Sequence, residues 1–182
     1  MAAVAGRAVG LLVLVWVAVR VLGPGLTLNP GGIVAFLHGV NLVFHEAGHV
    51  IFGFFGQFVA VLGGSLNQVL VPAICVVAFL RTRQRASAAV ALFWTGQSLA
   101  DVAVYAADGR AMALPLIAEG LIHDWNYLLG HTGLLGHAEA VGRFLFGAGA
   151  VLMLGALAFL ALDLLRAWNT GVVDSDGHRR VE

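Results

Sequence analysis

Five apolar runs, bounded by glycine, proline or charge, divide this chain at about residues 8–22, 32–56, 66–80, 87–107 and 139–165. Stretches of this kind have few partners in water, and they restrict the chain to an all-α, polytopic helical membrane bundle of about five spans. The rest of the composition agrees. Of 182 residues, 60% are hydrophobic and 11% charged, whereas soluble domains carry about 25% charged residues. A single membrane domain over 1–168 is expected, followed by a polar, disordered tail over 169–182.

The charged residues exclude some functions and orient the chain. All ten basic residues are arginine and the formal net charge is zero, so there is no footprint for nucleic acid. Arg81, Arg83 and Arg85 form a short basic loop, which the positive-inside bias assigns to the cytoplasm. Counting five crossings outward from it puts Arg20 and the carboxyl terminus inside, and Arg7, Arg110 and Arg143 outside. A polytopic protein of a bacterial-type plasma membrane is the expected setting, with the lipid bilayer as its first partner. The run behind Arg7 resembles a signal peptide, but Trp16, Arg20 and the lack of an A-x-A site before Gly23-Pro24-Gly25 favour an uncleaved helix. The lone Cys75 lies in an apolar run, so neither an internal disulfide nor a cysteine zinc site is available.

Two segments do not read as plain spans. Leu66 to Leu80 is about 22 Å long as a helix, short of a hydrocarbon core of about 30 Å, and it contains Pro72. Ahead of it, Gly56 to Ser65 mixes glycine with β-branched residues. A re-entrant or hairpin segment near 56–68 is therefore expected. Asp108 to Ala138 is too apolar for a free loop, so Met112 to Ile122 and Trp125 to Leu135 are expected as interfacial helices, with Trp125 and Tyr127 at headgroup depth.

The chemistry is concentrated in the second run. His45-Glu46-Ala47-Gly48-His49 is an HExxH motif. On a helix, residues four apart share a face, so His45 and His49 can offer nitrogens to one cation while Glu46 reaches its water. An ionisable side chain within a bilayer costs roughly 2.5–3.5 kcal/mol on insertion scales, which a merely structural role does not offset. His38 and Asn41 extend the same polar stripe, with His38 about 10 Å from His45 along the axis and too distant to share an ion. The fourth run repeats the pattern with Gln97, Asp101, Tyr105 and Asp108, and no arginine within it compensates the acids.

An open zinc site takes three protein ligands, so one more is required. His123 ranks first, Asp101 second and Asp124 third, with Asp101 also able to serve by hydrogen bonding in the interior. His131 and His137 read as interfacial polar residues. Asn67 and Gln68, at the start of the third run, are candidates to hold a substrate backbone or an oxyanion.

With HEAGH on the second run and a polar cluster on the fourth, the chain resembles the site-2 protease class of intramembrane zinc metalloproteases over about residues 32–108. The resemblance implies Zn2+ held by His45, His49 and a distal acid, with Glu46 activating water. It also implies a hairpin at Gly56 to Ser65 that receives an extended stretch of a membrane-protein or peptide substrate. The third ligand does not carry over, and His123, Asp101 and Asp124 stay open. Two other functions fit the same residues: a zinc-dependent hydrolase of a lipid amide or ester, and a non-enzymatic metal-binding or transport module.

Overall fold

Each of the five apolar runs is helical in the computed structural model, which describes residues 2–27, 31–116 and 120–178, the stretch 171–178 by its backbone alone. Helix α1 spans Ala2–Leu22 and α2 spans Ile33–Phe52. A 3-10 turn, Gly53–Phe55, leads into α3, Gln57–Arg81, and α4 follows at Arg85–Asp108. A short α5, Asp124–His131, a second 3-10 turn at Leu135–His137 and a long α6, Ala138–His178, complete the order. There is no strand among the described residues. Three of the helices, at Ala3–Leu22, Gln57–Arg81 and within Leu135–Thr170, are long and apolar enough to cross a membrane. The other two long helices, α2 and α4, are the ones whose polar stripes dilute their apolar character. Outward-facing Leu12, Val43, Val50, Phe144 and Val151 are all exposed, as lipid-facing positions are.

The hairpin expected near 56–68 is instead the first three turns of α3. Gly56, at φ 91°, makes the break, and the chain then runs helical through Pro72 to Arg81. Proline removes one N–H and leaves the carbonyl four residues earlier without its donor. Here that carbonyl belongs to Gln68, and the Ser98 hydroxyl from α4 lies 3.1 Å from it. A neighbouring helix thus makes a proline tolerable inside the bundle. Gly63 and Gly64 are not turn residues either. A Cβ on Gly63 would lie 2.8 Å from the Gly48 carbonyl oxygen, and one on Gly48 would run into the Gly63 carbonyl. The glycines let α2 and α3 touch backbone to backbone, the use small residues have in membrane helix pairs.

The apolar core lies on the other side of the bundle, where Val17, Ala18 and Val21 of α1 pack with Phe93 and Ala100 of α4 and Met153 and Ala156 of α6. Helices α4 and α6 run antiparallel at close range. A Cβ on Gly149 would sit 2.6 Å from the Gly96 carbonyl oxygen, and one on Gly142 2.5 Å from Ala107 Cβ. This register carries Asp163 toward the end of α4 where Arg85 stands, and Arg7 Nε donates to Asp163 Oδ2 at 2.7 Å. Arg7 therefore shares an end with the Arg81 to Arg85 connection, not the opposite end as five equal crossings required. Arg20, on the same helix and about 20 Å further along it, moves toward the other end, so the two arginines exchange places and the positive-inside count is unchanged.

Between α4 and α6 the expected helix over 112–122 does not form at 112–116 or 120–122, and 117–119 lie outside the described residues. Asp108 explains why: its carboxylate accepts from the backbone N–H groups of Ala113 and Leu114, both at 2.9 Å, and folds the chain into a turn after α4. The second expected helix, Trp125 to Leu135, is shorter, ending at His131. Helix α6 keeps residues 169–178 helical, past the start of the expected polar tail, whose residues 179–182 lie outside the described ones.

Candidate metal centre

His45 and His49 stand one turn apart on α2, with ring centroids 4.9 Å apart, and both face α3. Glycine at 64 makes this possible. A Cβ there would lie 2.6 Å from His45 Nε2 and 2.7 Å from His49 Nε2, in the space the two rings converge on. The third group to enter that space is Asp124, the first residue of α5. Its Oδ2 is 2.8 Å from His45 Nε2 and 3.3 Å from His49 Nε2. All three ligand atoms lie within 4.8 Å of one another, with His45 and Asp124 buried and His49 half-buried.

The far nitrogens settle the chemistry of the near ones. His45 Nδ1 donates to Gln68 Oε1 at 3.1 Å, and His49 Nδ1 donates to the Ala60 carbonyl at 2.9 Å. With Nδ1–H committed on both rings, each neutral imidazole presents a bare lone pair at Nε2. The Asp124 carboxylate also has only lone pairs to offer. Three electron-pair donors converging at these distances repel unless a cation lies among them, either protons on the rings or a metal ion. Two imidazoles and a carboxylate form a donor set suited to zinc, with a coordination position left for water. Burial alone pushes the Asp124 carboxyl up, but the hydrogen bonds and charge it receives from His45 and His49 outweigh that and hold it below the usual carboxylate range.

The side chain of Glu46, half-buried beside the two histidines, makes no hydrogen bond among the described residues. Its charge is close enough to act on both His49 and Tyr105. The motif's spacing thus keeps the acid beside the two histidines.

The other candidates take different places. His123, ranked first as third ligand, is turned away from the centre. Its Nε2 donates to Asp108 Oδ2 at 3.2 Å, and its Nδ1 accepts from the Asn126 N–H as the N-cap of α5. That cap orients α5 and so delivers the next residue, Asp124, to the histidines. Asp101 faces the back of the centre, accepting from Gln68 Nε2 at 2.7 Å, from His38 Nδ1 at 2.9 Å and from Asn41 Nδ2 at 3.3 Å. Asn67 donates to the Phe44 carbonyl at 2.7 Å, and it and Gln68 are buried between helices. Trp125, expected at headgroup depth, turns its indole N–H onto Ser65 Oγ at 3.1 Å. His131 stacks with Tyr127 at 4.2 Å between ring centroids, and neither His131 nor His137 joins the centre.

Three contributors escaped the sequence reading. Tyr105 Oη accepts the Asp124 N–H at 3.0 Å, and its ring lies 4.4 Å from that of His123. The four-residue spacing of Gln97, Asp101 and Tyr105 pointed to a shared face but not to what that face meets. The Ala60 carbonyl is a backbone group and leaves no mark in a sequence. Gly64 resembled loop punctuation.

The chain matches no model of a known protein family, no curated protein and no solved structure.

Proposed function

We propose that this chain is a membrane-embedded metallohydrolase of the HExxH type, related in its chemistry to the site-2 proteases, and that it cleaves a peptide bond in or near the bilayer. The observation that carries the reading is the convergence of His45 Nε2, His49 Nε2 and Asp124 Oδ2, each with its lone pairs directed inward, beside an unengaged Glu46. His45, His49 and Asp124 would hold Zn2+. A zinc ion bound in this way acts as a Lewis acid and lowers the pKa of water toward about 7. Glu46 takes the proton from the attacking water and returns it to the leaving amine. Asp124 would offset one of the ion's two charges and so bring the centre closer to neutral.

A second substrate class is a lipid amide or ester. It is favoured by the helical conformation of 57–65, which leaves no strand edge there for an extended peptide, and by the exposed Phe54 and Phe55 at the turn that follows the motif.

Glu46→Gln keeps the size and hydrogen bonding of the side chain but removes the proton acceptor. Hydrolysis of a membrane peptide or a lipid ester should fall by about 10²–10⁴ while the metal content stays at the wild-type level. Turnover at the wild-type rate with metal bound would remove Glu46 from the reaction, and a metal-loaded wild-type protein that hydrolyses neither substrate would replace the hydrolase by a metal-binding or transport module.

A further inference from the structure

The two histidines are held in the same tautomer by different means. His49 leans on a backbone carbonyl, Ala60, which has no alternative but to accept. His45 leans on the side-chain amide of Gln68, which can present either its oxygen or its NH2 group. An NH2 group facing His45 Nδ1 would demand the opposite tautomer, with the proton on Nε2, and would spoil that nitrogen as a ligand.

Two acceptors at the other end of the amide decide the matter. The Gln68 nitrogen lies 2.7 Å from Asp101 Oδ2 and 3.4 Å from the Ser98 carbonyl oxygen. If the amide were reversed, its oxygen would meet a carboxylate oxygen at hydrogen-bond distance with no proton between them. Asp101 is itself anchored on α2, through His38 on one oxygen and Asn41 on the other. A chain of three side chains, Asp101 on α4, Gln68 on α3 and His45 on α2, thus passes one orientation from helix to helix.

We propose that Asp101 is a positioning residue for the metal centre: it locks the Gln68 amide so that its oxygen accepts the His45 Nδ1 proton and His45 Nε2 is bare toward the ion. The inference rests on the metal-binding reading of His45, His49 and Asp124, and does not depend on which bond, if any, is hydrolysed. An acid that the sequence offers as a ligand acts instead through an intermediary, as outer-sphere carboxylates do at other metal sites.

The test uses the full chain in detergent, with Zn2+ dissociation constants read by competition with a chromophoric chelator. Asp101→Asn replaces a pure acceptor by a group that also donates, so reversal of the amide is no longer forbidden. Gln68→Met removes the amide. Each should weaken Zn2+ binding by about 10- to 100-fold. Because Asp101 acts through Gln68, the double variant should bind no more weakly than Gln68→Met alone, whereas a general loosening of the bundle would multiply the two losses. Wild-type affinity in Asp101→Asn, or multiplied losses in the double variant, would overturn the proposal.

A second measurement covers a variant that folds poorly or a wild-type protein that takes up no Zn2+. The ¹⁵N ring shifts of His45 in the metal-free protein should show Nδ1 protonated, whether or not Nε2 also carries a proton toward Asp124. The reverse tautomer in the wild type overturns the role of Asp101. A wild type that shows the expected tautomer without binding Zn2+ retires the metal reading and leaves the positioning intact.

Discussion

The two faces of α4 border two kinds of interior, and both are built on glycine. Toward α6, Gly96 and Gly149 bring two backbones together in an apolar interior of alanine, valine and methionine, and nothing but packing depends on the approach. Toward α2 and α3, Gly48 and Gly63 do the same, but the next glycine, Gly64, opens a space that two imidazole rings and a carboxylate then face. The polar side is also fully accounted for: among the described residues no buried side-chain nitrogen or oxygen lacks a hydrogen-bond partner. One motif of helix packing therefore serves adhesion on one face and, on the other, a convergence of two imidazoles and a carboxylate. What separates the two is the side chain that lies opposite the missing Cβ.

Removing a converging group should separate the halves most sharply. Asp124→Ala takes away one of three ligands, and the loss of Zn2+ affinity should exceed the 10- to 100-fold typical of an outer-sphere partner. Asp163→Ala, which cuts the Arg7 pair on the apolar side, should leave that affinity unchanged. Equilibrium dialysis of both variants makes the comparison, and equal losses would mean the two regions are not independent.

Gly64→Ala is a finer probe. The new methyl would press on the ends of both rings, so the Nε2 atoms must move, and Zn2+ binding should weaken by about 10- to 100-fold. Competition with a chelator would detect it. An unchanged dissociation constant would show that the rings converge elsewhere.

Acid should act on the polar side through the histidines. Metal binding needs both Nε2 atoms unprotonated, so affinity falls as the pH is lowered through the range in which the rings take up protons, about tenfold per pH unit for each proton displaced. Asp124 is held below the usual carboxylate range and stays ionised throughout this window, so it adds nothing to the loss. A pH series of Zn2+ dissociation constants with its midpoint near 4 would assign the transition to a carboxylate instead.

The smallest effect on the metal should come from Gly149→Ala. Its methyl meets the Gly96 carbonyl and Ala100 backbone, and forcing α4 and α6 apart should cost about 1–3 kcal/mol of stability. Thermal unfolding would register that cost, while the Zn2+ affinity of the folded fraction should match the wild type.

Much of this architecture was legible before any coordinates. The apolar runs set where helices form, because a chain in lipid must satisfy its backbone within each segment. The HEAGH spacing alone placed His45, Glu46 and His49 together, because a helix repeats its face every four residues whatever surrounds it. The stripe of Gln97, Asp101 and Tyr105 marked the inward face of α4 for the same reason. Other features required the assembled bundle. Glycines at 63 and 64 look alike whether they turn a chain or admit a neighbour, and only the approach of α2 distinguishes the two. Whether Pro72 breaks a helix depends on a hydroxyl at Ser98, thirty residues after the Gln68 carbonyl it reaches. The choice among His123, Asp124 and Asp101 turned on the direction in which α5 starts, which His123 sets by capping that helix and pairing with Asp108. Local periodicity is written in the sequence because it arises within one helix, whereas the carboxylate that joins the two histidines, the amide that meets His45 and the use of a glycine are relations between helices, and those exist only once the helices meet.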